Sequence, residues 1–108
     1  MALYLTTLKY TAAAHAAVKQ AGHTTREAAV RGMAEGLGGK LVSMHWASSP
    51  DFDFIAILDL PNADDELFVS MVAQSSGVAV RGTSHRLWSS AEAEAISKHT
   101  TAWTPPGT

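Results

Sequence analysis

Residues 38–59, from Gly38-Gly39-Lys40 through Ile57-Leu58-Asp59, constrain the fold more than any other stretch of the chain. Glycine reaches the left-handed conformation of a helix C-cap at no steric cost, so Gly38-Gly39 ends a preceding helix. Behind it lie two runs suited to strands, Leu41 to Ser48 and Phe52 to Leu60, separated by Ser49-Pro50-Asp51. Side chains alternate across a strand. Val42, Met44 and Trp46 therefore make one apolar face, and Phe54, Ala56 and Leu58 make another. A turn at Ser49-Pro50-Asp51 places Trp46 opposite Phe54 and His45 opposite Ile55, so the apolar faces coincide under helices. Asp53 then lies on the diagonal from His45. A slip of one residue would mix the faces, which specifies the register strongly.

The flanking sequence supplies the rest of the fold. Ala2 to Tyr10 reads as a first strand. Thr11 caps a helical piece over Ala12 to Gln20, and Gly22-His23 interrupts it. Thr24 with Glu27 forms a capping-box pattern ahead of Val30, Met33, Ala34 and Leu37 at helical spacing. Asn62 or Asp64 can cap a third helix bearing Leu67, Phe68, Met71 and Val72 and closed by Gly77. Val78 to Trp88 reads as the fourth strand, with Gly82 a bulge or a point of close approach. Ser89 or Ser90 caps a last short helix, Ala91 to Lys98. The order β-α-β-β-α-β is that of an α+β ferredoxin-like sandwich, four antiparallel strands with helices on one face. One domain over residues 1–98 and an irregular tail over 99–108 are expected.

The other face of that sheet holds Leu41, Ile55 and Ile57, much hydrocarbon to leave in water. Only 17% of the residues are charged against 46% hydrophobic, which also favours a covered surface. Two sheets packed face to face would bury it around a cavity, giving a dimeric α/β-barrel, a homodimer or a higher homo-oligomer. The net charge of −2 includes no basic cluster, which argues against a nucleic-acid partner. No apolar run approaches a membrane span, and the apolar start of the chain is too short for a signal peptide. Cysteine is absent, in keeping with a reducing cytoplasm, the expected compartment.

Several segments resemble the GYD-domain family, named for a Gly-Tyr-Asp segment in the turn before the third strand. They are Lys9-Tyr10-Thr11, Ala34 to Leu41, Asp51-Phe52-Asp53-Phe54, Gly77 to Arg81 and Ser84 to Ser89. The likeness runs from Tyr4 to about Ile96. Here Pro50 or Asp51 stands at the glycine, Phe52 replaces the tyrosine and its hydroxyl, and Asp53 is retained. The resemblance implies the ferredoxin-like fold and a dimeric barrel, and no particular reaction.

His45 and Asp53 are the leading candidates for chemistry. A carboxylate beside an imidazole in a dry cavity orients the ring and stabilises its protonated form, as acid–base catalysis needs. The plainer alternative is a hydrogen-bonded histidine and a turn-shaping aspartate. His85 shares a strand face with Arg81 and Thr83, while Arg86 and Trp88 share the other. Arg81 or Arg86 can hold a carboxylate or enolate in bidentate fashion, Trp88 can stack on an aromatic ligand, and Tyr4 can offer a hydroxyl. His45, His85 and Asp53 have the ligand types of a zinc or iron site but no supporting spacing motif, so neither metal nor cofactor is expected. His15, His23 with Glu27, and His99 read as solvated or capping positions, Trp46 as core, and Trp103 as an indole that docks on its own or a neighbouring subunit. The function these residues imply is acid–base chemistry on a hydrophobic or aromatic small molecule, of isomerase, lyase or cofactor-free oxygenase type. The alternative is a non-catalytic ligand-binding or assembly module.

Overall fold

β1, Ala2–Tyr10, is the organising strand: it pairs antiparallel with β3, Phe54–Leu60, on one side and with β4, Ala79–Leu87, on the other. β2, Lys40–Trp46, pairs with the far edge of β3, so the sheet runs β2-β3-β1-β4 with every neighbour antiparallel. The structure, a computed structural model, describes residues 2–107. Met1 and Thr108, the first and last residues of the two expected segments, lie outside the described residues.

Four helices complete an α+β fold: α1 (Ala12–Ala21), α2 (His23–Gly36), α3 (Ala63–Ser75) and α4 (Ser90–Ser97). α2 and α3 lie over the face that carries Leu8, Phe54, Ala56 and Leu58, and there Val30, Ala34 and Val69 complete the core. This is the ferredoxin-like order expected from the sequence. Thr11 caps α1 through its hydroxyl, which accepts from the Ala14 amide at 3.2 Å. The Thr24–Glu27 capping box does not form. Gly22, at φ 104°, ends α1 and begins α2 at once, so α2 starts at His23 and Thr24 already lies inside it. Asn62 occupies the N-cap of α3 without a side-chain cap bond. Ser89 and Glu92 make a complete capping box at α4.

The hairpin register is as expected: Trp46 faces Phe54 and His45 faces Ile55. The strands stop short of the expected bounds, leaving residues 47–53 as connection. The expected facing breaks nearer the start of β2. The register shifts between Leu41 and Ser43, so Val42 is an extra residue. Leu41 consequently turns into the core, 8% exposed, and Val42 turns out at 49%. A bulge reverses the alternation that strict period-two spacing demands. Gly39 sits where a Cβ would overlap the Asp59 carbonyl, so glycine is needed for chain approach as well as for ending the helix. Gly82 is a close-approach point, with Leu8 and Thr7 where its Cβ would lie. The irregularity in that pairing lies beyond it, opposite Lys9 and Tyr10.

Candidate functional site

Asp53 closes the connection between the central strands. Its N–H donates to the Leu8 carbonyl at 2.8 Å, and its own carbonyl accepts from the Ala47 N–H at 2.9 Å. The β1–β3 ladder runs out at Leu8 and Phe54, and the carboxylate takes over as acceptor. Oδ2 accepts from the Tyr10 backbone N–H at 2.8 Å, and Oδ1 receives Lys9 Nζ at 3.1 Å. His15 Nδ1 stands 3.5 Å from the same Oδ1. The residue is 5% exposed. Burial pushes its carboxyl pKa up, but the Tyr10 amide, Lys9 and His15 together outweigh it and hold the carboxyl below its ordinary value. Asp53 thus pins the end of β1 to the start of β3 and to α1.

Among the described residues, the ion pairs of Asp53 are with Lys9 and His15, and His45 is not in them. The imidazole beside the carboxylate comes from α1, a position that reads as solvent from sequence. Its signal was local: Thr11 caps α1, which folds the first helical turn back over the end of β1.

His45 and His85 both lie on the face of the sheet away from the helices. Pairing aligns His45, Ile55, Thr7 and Thr83 in one row, and Ser43, Ile57, Leu5 and His85 in the next. The Thr7 and Thr83 hydroxyls are hydrogen-bonded across β1 and β4. The following row contains Lys40, Asp59, Leu3 and Leu87. Asp59 Oδ1 is buried there without a hydrogen-bond partner, and no periodicity in the sequence marks it as special. The two histidines stand on the outer strands, three strand spacings or roughly 14 Å apart across the sheet and one row apart along it. A metal held jointly by His45, His85 and Asp53 is out of reach within one chain, and no group of three or more potential ligands occurs among the described residues. Arg81 lies at the rim of this face, 3.3 Å from Asp51.

Tyr4, Arg86 and Trp88 belong to a different place. Tyr4 pairs with Leu58 and Arg86 on the helix side of the sheet. The Arg86 guanidinium lies 5.8 Å from the Tyr4 ring and 4.9 Å from Trp88, and 3.9 Å from Glu92 at the start of α4. On the same side a cleft of about 390 Å³ opens between α2 and α3, lined by Leu8, Val30, Met33, Phe54, Val69 and Val72 among others. Arg26 reaches its wall but is held by Tyr10, donating from Nε to the phenol oxygen at 3.0 Å. Tyr10, Trp46, Phe54 and His23 form an aromatic cluster beside it. His45 and His85 are therefore on the opposite face of the sheet from the apolar cleft.

Sheet order, helix placement and the Asp53 anchor define a ferredoxin-like α+β domain with one helix-free face. The family model of the GYD domain matches residues 4–96, and the chain belongs to the GYD-domain family. No curated protein and no solved structure matches it. Among the described residues no helix is long and apolar enough to cross a membrane.

Proposed function

We propose that the protein works as a homodimer closed sheet to sheet, enclosing a hydrophobic or aromatic small molecule between the two helix-free faces. One observation carries this: the face combines Leu3, Leu5, Ile55, Ile57 and Leu87 with two histidines and a buried, unpartnered Asp59 oxygen. Hydrocarbon in that amount favours burial by roughly 25 cal/mol per Å². A polar oxygen without a partner costs free energy until a ligand or a facing chain supplies one.

In such a cavity the candidate acid–base groups are His45, His85 and Asp59, with Lys40 at the edge of the Asp59 row. Each protomer holds its two imidazoles too far apart to serve one substrate atom, so a reacting centre would draw one histidine and a carboxylate from facing sheets. That is acid–base chemistry of the isomerase, lyase or cofactor-free oxygenase type. Asp53 is already engaged by Tyr10, Lys9 and His15. Its commitment to the fold favours a second reading, in which the cavity binds its ligand without converting it.

Sedimentation of the wild type and of Ile57→Glu tests the enclosure. The wild type should sediment as a dimer or larger at micromolar concentration and Ile57→Glu as a folded species of lower mass. A wild-type monomer, or a variant of unchanged mass, sinks the proposal. Native mass spectrometry of the wild type then reads any retained ligand. Its conversion, unaffected by His45→Ala and His85→Ala, would remove the histidines from the chemistry.

A further inference from the structure

α4 and the residues behind it form an arm with little of its own body to lie on. No residue of α4 is buried, and none of the more closely packed pairs of elements includes it. Among the described residues, its polar tie to the body is the 3.9 Å pair between Glu92 and Arg86 at its first turn. Beyond α4, residues 99–107 are exposed, and Trp103 shows 76% of its surface. The radius of gyration is 16.9 Å and the long dimension 56 Å, whereas a compact chain of this length has a radius of about 13 Å. An indole exposed to this degree is costly surface, and among the described residues no ring contact covers it.

The body carries a strip that matches the arm. The outer side of α3 exposes Leu67, Phe68, Met71 and Val72, and Val72 leads directly into the cleft between α2 and α3. Charge agrees with this placement. The first turn of α3 holds Asp64, Asp65 and Glu66 with no basic residue in its last turn, and Asp65 Oδ2 is buried without a hydrogen-bond partner. The end of the arm carries Lys98 and His99 just before Trp103, while its acidic residues, Glu92 and Glu94, lie at its start, where Glu92 pairs with Arg86. Asp64 to Val72 spans about 12 Å of helix, and Lys98 to Trp103 spans up to about 17 Å of extended chain. Lys98 over the acidic turn therefore lets Trp103 reach the mouth of the cleft. A small charged ligand is a poorer occupant, because the cleft's cation, Arg26, is already bonded to Tyr10.

We propose that Ser90 to Trp103 is exchanged between two copies of the chain. Each arm lies along the partner's α3, and its indole closes the partner's α2–α3 cleft. The exchange is reciprocal, so it closes as a two-fold dimer and leaves no free arm. It uses the helix side of the domain and does not depend on the sheet faces pairing.

The absence of cysteine makes a disulfide test clean. Full-length Met71→Cys and Ala102→Cys proteins, mixed under mild oxidation, should link across chains roughly tenfold faster than a Lys19→Cys and Ala102→Cys control pair, because docking raises the local concentration. A chain with both Met71→Cys and Ala102→Cys should yield linked dimers. Adding Trp103→Ala to the Ala102→Cys protein should slow the mixed reaction by about fivefold, the indole being the anchor. Ile57→Glu should leave the cross-link in place, which separates a failure of sheet pairing from a failure of arm exchange. Closure within single chains would place the arm on its own α3 and overturn the proposal. So would a mixed rate equal to the control, an effect of Trp103→Ala that is absent, or a small apolar molecule retained by a monomer in the native mass spectrum.

Discussion

Asp53 shows how one side chain can decide between chemistry and structure. Its folded carboxyl pKa lies below the ordinary 3.8, so the folded state binds fewer protons than the unfolded chain as that range is approached. The resulting stability is fully present above the ordinary value and is lost as pH falls through the lowered one. Asp53→Asn keeps an acceptor for the Tyr10 amide but loses the charge facing Lys9 and His15. It should lower stability by about 1 kcal/mol near neutral pH, with the gap to wild type closing as the carboxylate protonates. Urea titrations at neutral pH and at pH near 3 measure both, and a gap that widened in acid would contradict the assignment. Gly39→Ala should cost about 1–3 kcal/mol, because its methyl meets backbone at Asp59 and backbone cannot rotate away. The importance of Asp53 was legible in the sequence, since it is the retained residue of the family segment. Its partner was not, because His15 reaches it only through the path of α1.

At the level of elements, β2 separates pattern from packing. Strict alternation assigns Val42 to the core and Leu41 to the other face, and the bulge between Leu41 and Ser43 exchanges them. Leu41→Ala should therefore cost about 2–4 kcal/mol, and Val42→Ala within about 0.5 kcal/mol of nothing. Thermal or chemical unfolding of the two variants would show the reverse order if β2 were regular. α2 offers a complementary test. A Cβ at Gly32 would meet nothing within 4 Å, so Gly32→Ala should stabilise by about 1 kcal/mol, the helix-propensity difference. The register near Trp46 and Phe54 was readable because the short connection fixes it locally. The bulge was not, because it answers to helix packing and to Gly39 against Asp59, contacts remote in sequence.

For the whole molecule, the sheet divides the chain into two sides with different work. The helix side holds the core, the cleft and the strip on α3, while the open side holds His45, His85 and Asp59. Sequence reasoning left open whether Arg81 and His85 or Arg86 and Trp88 share the cavity of His45 and Asp53, and offered the Tyr4 hydroxyl to that cavity. The pairing of β1 with both β3 and β4 sends Tyr4 and Arg86 to the helix side instead. Both assemblies proposed above bury surface that a single copy leaves exposed. Combining Ile57→Glu with Trp103→Ala should leave a folded monomer, which sedimentation would detect.

The order of residues alone determined the strand and helix sequence, the central hairpin register, the family and the excess of apolar surface. Each is written in local periodicity, turn chemistry or composition, and needs no knowledge of distant neighbours. Only the tertiary structure decided that Asp53 meets His15, that Leu41 and Val42 exchange faces, that His45 and His85 stand on opposite edges, and that α4 leaves the body. Those outcomes depend on which strand lies between which, and on contacts between residues tens of positions apart that no local pattern encodes.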